Sequence, residues 1–326
     1  MQAIVYEQYG PPELLQLKEV AKPVPGEHQV LVKVHAASLN ALDWRRFAMP
    51  SVVARLMSGG LRQPKTQSMG ADLSGRVEAV GPLVTEFRPG DAVFGVAQGT
   101  FAEYVCANEK KLAPKPEPVS FEAAAAAPVA ALTALQGLRD KGQIQAGHKV
   151  LIDGASGGVG TFAVQIAKSF GAEVTAVCSA RNLDMARSIG ADHVMDYTRE
   201  DFTRHKSRYD LILAVNGHHP LRHYRRALAP QGRCVVAGGP VSQVLQSMLL
   251  GPLLSRGDGR QVAFMGIATT PKADLLAIQA LLESGQIAPV IDGYYPLSGV
   301  PKAIRYLLDE HAQGKVVIRL ESGGAA

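Results

Sequence analysis

The stretch Gly154-Ala155-Ser156-Gly157-Gly158-Val159-Gly160 constrains this chain more than any other. It follows Lys149-Val150-Leu151-Ile152-Asp153, which reads as a buried strand, and precedes Thr161–Phe170, which reads as a helix. A glycine-rich turn from strand into helix is the geometry that receives a pyrophosphate. Gly157 lets the backbone approach the phosphates, and Gly160 lets the helix pack on its strand. The helix N-terminus presents free N–H groups and a partial positive charge. Ala155 stands where the usual pattern has its first glycine, a modest departure. No Gly-Lys-Ser/Thr follows, which excludes a Walker loop. The loop predicts a dinucleotide site on Gly154, Ser156, Gly157, Gly158, Val159 and Gly160.

After the loop, strands alternate with short helices. Ala172–Cys178, His193–Met195, Leu211–Val215 and Cys234–Val236 read as strands, with Leu183–Ile189 and Leu221–Ala229 as helices between them. That alternation predicts a parallel sheet covered on both faces. Before the loop, short strands such as Ala3–Tyr6, Gln29–Val34, Val77–Gly81 and Ala92–Gly95 are punctuated by proline and glycine turns. Five alanines and Pro128 open a helical stretch from Glu122 to about Arg139. Late in the chain, Gly251–Arg260 reads as a loop, Pro271–Glu283 and Val300–His311 as helices, and Lys315–Leu320 as a closing strand. The predicted class is α/β. A β-rich domain spans 1–121 and 296–326, and a doubly wound parallel-sheet domain spans 122–295.

Composition narrows the partners. The 34 basic and 29 acidic residues leave a formal charge of +5, spread along the chain without a basic stripe, so no nucleic-acid partner is expected. Cys106, Cys178 and Cys234 form neither a disulfide framework nor a four-thiolate zinc site. They suit a reducing compartment. The N-terminus, MQAIVYEQYGPPE, lacks a secretory pattern, and no apolar stretch reaches ~18 residues. A cytoplasmic protein with no membrane span is expected.

The end of the second strand of the dinucleotide unit selects the cofactor. Val177-Cys178-Ser179-Ala180-Arg181-Asn182 contains no carboxylate to hold ribose hydroxyls. Ser179 can donate to a 2′-phosphate and Arg181 can clamp it, each charge-assisted contact worth ~1.5–3 kcal/mol. NADPH is therefore expected over NADH; the plainer reading has Arg181 as a solvated helix-start residue.

With these residues in hand, the chain resembles the zinc-independent medium-chain dehydrogenase/reductases of the quinone oxidoreductase group. Gly70–Gly81 is similar to the group's signature segment, followed in order by Gly90–Gly95, Gly99–Tyr104, Ala131–Ala134, Gly190–Val194 and Gly314–Val317. The resemblance implies a GroES-like β-barrel catalytic domain, a Rossmann domain and bound NADPH. It implies hydride transfer to a quinone or to the C=C bond of an α,β-unsaturated carbonyl. It places Asn40 and Asp43 as catalytic positioning residues, with Asn40 also at the cofactor. It adds Thr133, Tyr197, Val215, Asn216, Gly217, Ala237, Gly238, Gly239 and Lys315 to the cofactor set, Tyr197 having a plain packing role as its alternative. No metal is implied: zinc-binding relatives carry cysteine, histidine and cysteine where this chain has Asn40, Ala71 and Val129.

Two other functions stay open, an enoyl-thioester reductase and a non-catalytic NADPH-binding sensor. His218-His219-Pro220 reads as a surface loop, with no third ligand for a metal. The basic, irregular segments Trp44–Arg46 and Arg55–Lys65 are either a wall of the substrate mouth or a solvated loop. Gln261–Ile267 has no charge and no proline, so it is expected at a sheet edge covered by a second copy in a homodimer. The alternative is that Val241–Leu254 folds over that edge within one chain.

Overall fold

The structure, a computed structural model, describes residues 1–48, 68–204, 206, 208–255, 257–309 and 312–320. Arg55–Lys65 lies outside the described residues. The chain divides into two units, one comprising Met1–Val129, Thr270–Gly285 and Ile291–Ala326, the other Ala130–Thr269 and Gln286–Val290.

The first unit carries a two-stranded sheet, β1 (Gln2–Val5) with β2 (Gln16–Glu19), and a seven-stranded one. The larger sheet contains β3 (Gln29–Ser38), β4 (Asp72–Val80), β5 (Ala92–Val96), β6 (Tyr104–Asn108) and β7 (Leu112–Pro114). Its order is completed by two C-terminal strands at one side. The long strand β3 is its centre, pairing antiparallel with β4 and β6. Val30, Val32 and Val34 of β3 enter a core with Leu73, Val93, Phe101 and Leu112, the alternation of a one-sided sheet. Gly75 has a packing reason: a Cβ there would stand 2.1 Å from Lys33 O.

The second unit holds a six-stranded parallel sheet of β8 (Lys149–Asp153), β9 (Glu173–Cys178), β10 (His193–Asp196), β11 (Tyr209–Ala214), β12 (Leu228–Val236) and β13 (Gln261–Phe264). The spatial order β10-β9-β8-β11-β12-β13 places the turning point between β8 and β11, where such sheets bind nucleotides. Val150, Leu151 and Ile152 are fully buried, as a central parallel strand requires. Then β14 (Ile291–Pro296) and β15 (Lys315–Arg319) return to the first sheet, β15 pairing antiparallel with β3.

Three expectations change. The stretch 122–139 is not one helix but Phe121–Ala126, Pro128–Gln136 and a wider turn over Gly137–Lys141, because Pro128 cannot donate into a continuous helix. The helix Lys272–Glu283, expected in the Rossmann half, belongs to the first unit. Lys272 Nζ donates to Leu112 O at 2.7 Å and pairs with Glu86. Gly251–Arg260 is not all loop, since helix Val241–Leu254 runs through Gly251 and Pro252. Gly251 lies on β13, where a Cβ would stand 2.6 Å from Val262 O. Ser255 Oγ accepts from Val262 N–H at 3.0 Å, so part of the β13 edge is taken by the chain itself. Among the described residues no helix is long and apolar enough to cross a membrane.

Candidate functional site

In the second unit three loops meet at the carboxyl ends of neighbouring strands β8, β11 and β12. Gly154 has φ +87°, and a Cβ there would touch Asn216. A Cβ on Gly238 would stand 2.3 Å from Val215 O, and one on Gly239 2.8 Å from Gly217 O. Gly154–Gly160, Val215–Gly217 and Ala237–Gly239 therefore form one close-packed surface. Gly160 is required by packing, its would-be Cβ lying 2.1 Å from Gly154 O. Gly157 differs: the nearest atom to a Cβ is 3.7 Å away. It precedes the helix Gly158–Ser169, and no side chain caps that helix. A bare helix N-terminus with open space before it fits a pyrophosphate. Thr133 lies on the helix Pro128–Gln136, half-buried.

At the end of β9, Ser179 Oγ accepts from Asn182 Nδ2 at 3.0 Å, which fixes the turn carrying the exposed Arg181. Tyr197, after β10, is 58% exposed and is not a packing aromatic. One neighbour was missed by sequence reasoning. Asp196 is buried at the end of β10, its Oδ1 accepting from Thr198 N–H and Oγ1. Those bonds hold its carboxyl below the usual range, the Thr198 backbone N–H contributing most. Burial, with the Asp196 charge nearby, pushes the Cys178 thiol up to about 11.

Beneath the glycine loop, Tyr224 Oη donates to Asp153 Oδ2 at 2.5 Å. Burial raises both groups above their ordinary values, and the same cause raises Cys234. His219 packs edge-on to Phe202 and Tyr224, while His218 is exposed, so the two adjacent rings do not face one target.

The first unit carries a second cluster. Lys315 Nζ donates to Asn40 Oδ1 at 2.7 Å and Leu39 O at 3.0 Å, and lies 3.3 Å from Asp72 Oδ2. Asp72 also accepts from Ser38 Oγ at 2.7 Å, Asn40 Nδ2 at 2.8 Å and Val129 N–H at 2.9 Å. The Lys315 and Asp72 side chains are 3% and 0% exposed. Asn40 is thus gripped at both ends of its amide. Asp43 Oδ2 accepts from Asn40 N–H at 2.7 Å, capping the helix Ala41–Ala48 and orienting Asn40 rather than standing apart as a reactive group. The Lys315 ammonium, expected at the cofactor, is directed at Asn40, Leu39 and Asp72 and anchors Asn40. Asp72 had no role in the sequence reading, where only its burial among apolar strand residues could have marked it.

A Rossmann sheet whose glycine loop leads into an uncapped helix, in a chain that also carries a GroES-like sheet holding a fixed amide, has the parts of a nicotinamide-dependent oxidoreductase. Comparison with known proteins agrees. Residues 26–117 match the alcohol dehydrogenase GroES-like domain, and residues 189–318 match the zinc-binding dehydrogenase family. The chloroplast envelope quinone oxidoreductase homolog of Arabidopsis thaliana is 32% identical, covering 98% of both chains. The chloroplastic NADPH-dependent alkenal/one oxidoreductase of the same plant is 33% identical over 98% of this chain and 79% of its own. The solved quinone oxidoreductase from Coxiella burnetii superposes with a TM-score of 0.85 at 29% identity, covering 98% of this chain and 99% of its own. The chain belongs to the medium-chain dehydrogenase/reductase family, in its quinone oxidoreductase group. The cytoplasmic expectation is overturned: several relatives this similar are chloroplastic or mitochondrial by name.

Proposed function

We propose that the chain reduces quinones, or the C=C bond of α,β-unsaturated carbonyls, with NADPH and without a metal. The observation that carries this reading is the Lys315–Asn40–Asp72 cluster. At the three positions where zinc-dependent relatives hold their metal, this chain has an amide (Asn40), a methyl (Ala71) and an isopropyl group (Val129). The positive charge in that neighbourhood is the Lys315 ammonium, 2.7 Å from Asn40 Oδ1. A methyl and an isopropyl group are not ligands, and an amide whose oxygen already accepts from an ammonium is a poor one. The relatives' names, quinone oxidoreductase and alkenal/one oxidoreductase, support the substrate class.

Bound NADPH supplies the reducing pair as hydride; the protein supplies position and charge stabilisation. Gly157–Gly160 receive the pyrophosphate. Ser179 and Arg181 take the 2′-phosphate, which sets NADPH above NADH. Thr133, Tyr197, Val215–Gly217 and Ala237–Gly239 complete the cofactor surface. Asn40 orients the nicotinamide carboxamide or the substrate carbonyl. Lys315 draws charge from Asn40 Oδ1, which strengthens the Nδ2 proton that Asp72 does not hold where negative charge develops on a carbonyl oxygen.

Steady-state NADPH oxidation with a benzoquinone, an enone and an enoyl-CoA tests the reading. Turnover of the first or second is expected. Turnover of the enoyl-CoA alone assigns a thioester reductase, and tight NADPH binding with no turnover assigns a sensor. Assembly as a homodimer is part of the proposal, through the edge formed by Gln261–Ile267, of which Gln261–Phe264 is strand, pairing antiparallel about a two-fold axis.

A further inference from the structure

The helix Val241–Leu254 is built inside out. Its buried positions are Gln243, Ser247 and Gly251, spaced four apart, all polar or lacking a side chain. Gln243 Nε2 donates to His219 O, Ser247 Oγ to Val244 O, and Gly251 rests on Val262 O. The exposed positions include Leu245, Met248, Leu249, Leu250 and Leu253, with Leu249 72% exposed, interleaved with Ser242 and Gln246, while Leu254 turns inward against the core. The exposed leucines and methionine project together from a helix of 14 residues, about 21 Å long. A water-facing helix has the reverse pattern. Isolated exposed leucines need no explanation, but a contiguous leucine and methionine face on one helix marks a docking surface.

The charge around that face selects its occupant. Between Asp210 and Asp258 the chain has no aspartate or glutamate, yet it has five arginines and three histidines. At the C-terminal end of the helix, Arg225 donates to Leu254 O and shares Asp258 with Arg260, while Arg233 donates to the neutral Gln261. Two arginines there share one carboxylate, and the third has only a neutral partner. A second copy seated on this face brings the same positive charge. An anionic lipid surface brings the opposite one, and it takes up leucine and methionine side chains at its acyl boundary.

We propose that the helix Val241–Leu254 is a membrane-surface element, seating its leucine face in an anionic bilayer with the neighbouring arginines at the headgroups. The surface stands independently of the reductase reading. The test is co-sedimentation of the full chain with phosphatidylcholine vesicles, with and without a minority of phosphatidylglycerol. Binding is expected to the charged vesicles, about tenfold weaker to the neutral ones, and to fall as salt rises. The double substitution Leu249→Glu, Leu253→Glu is expected to weaken it by about tenfold or more with an unchanged melting temperature. No binding by the unmodified chain overturns the proposal, as does undiminished binding by the variant. A light-scattering mass that falls from two chains to one in the variant also overturns it, because the face then belongs to a second copy.

Discussion

The Lys315 ammonium lies 3.3 Å from the Asp72 carboxylate across 243 residues of sequence, with both side chains buried. The pair joins β15 to the start of β4, and Asn40 is hydrogen-bonded to both of its members. Removing one partner of such a pair leaves a charge with no compensation in low dielectric. Lys315→Met is expected to lose about 3 kcal/mol of stability, near the low end for buried pairs because three donors still serve Asp72. It is also expected to lower kcat about tenfold as Asn40 loses its anchor. Urea unfolding and steady-state kinetics check both, and the added substitution Asp72→Asn is expected to restore part of the stability but not kcat. A Lys315→Met variant with unchanged stability would falsify the assigned burial role.

The glycine loop separates packing from binding. In Gly160→Ala the new methyl meets Gly154 O, a backbone atom that cannot move aside, and a loss of about 2–3 kcal/mol is expected. In Gly157→Ala the methyl meets nothing closer than 3.7 Å. Stability is expected to change by less than about 1 kcal/mol, while NADPH binding weakens about tenfold because the methyl fills the pyrophosphate's approach. Thermal melts and fluorescence titration distinguish the two; equal effects of both changes on binding and stability would contradict the division.

The proposed preference for NADPH rests on the turn after β9. Arg181→Ala is expected to weaken NADPH by one to two decades, from the loss of ~1.5–3 kcal/mol of charge-assisted bonding, and to leave NADH nearly unchanged. Titration of both cofactors against both proteins measures this. Equal affinity of the unmodified protein for NADPH and NADH refutes the preference.

Asp153 makes stability pH-dependent in a stated direction. Burial raises its carboxyl pKa in the folded chain, against the lowering effect of the Tyr224 hydrogen bond. The unfolded chain releases this proton from about pH 4 upward while the folded chain still holds it, so stability falls as pH rises from there to the folded value. Above that value the cost is constant. Asp153→Asn removes the titration, and its melting temperature is expected to decline less over that window. Melting curves of the two proteins that run parallel from about pH 4 to 8 would remove Asp153 from the account.

The remaining β13 edge predicts a solution mass near twice 34.6 kDa at micromolar concentration. Ile267→Lys places a charge on the exposed residue just past that strand and is expected to give single chains by light scattering. A single-chain mass for the unmodified protein rejects the homodimer.

Much of the candidate cofactor site is legible in the sequence because its determinants are local. A glycine that must be bare and a helix that starts without a cap are written within seven consecutive residues, and the alternation of strands and helices follows from periodicity. Asn40 and the positions without zinc ligands were reached through resemblance. Other features were not legible. Gly251 and Pro252 signal a break, yet a helix continues through them because Gly251 lies against β13, a contact made only after folding. The exposed leucines of Val241–Leu254 have the composition of a core, and only the packing of Gln243, Ser247 and Gly251 turns them outward.

The sequence by itself determined the nucleotide cradle, the parallel sheet that presents it and the side chains at the would-be metal positions, since each depends on residues close together in the chain. Tertiary structure alone decided what Lys315, Asp72 and Asp153 do. A charge acquires its role from burial and from partners tens to hundreds of residues away, and desolvation depends on how the whole unit closes around it.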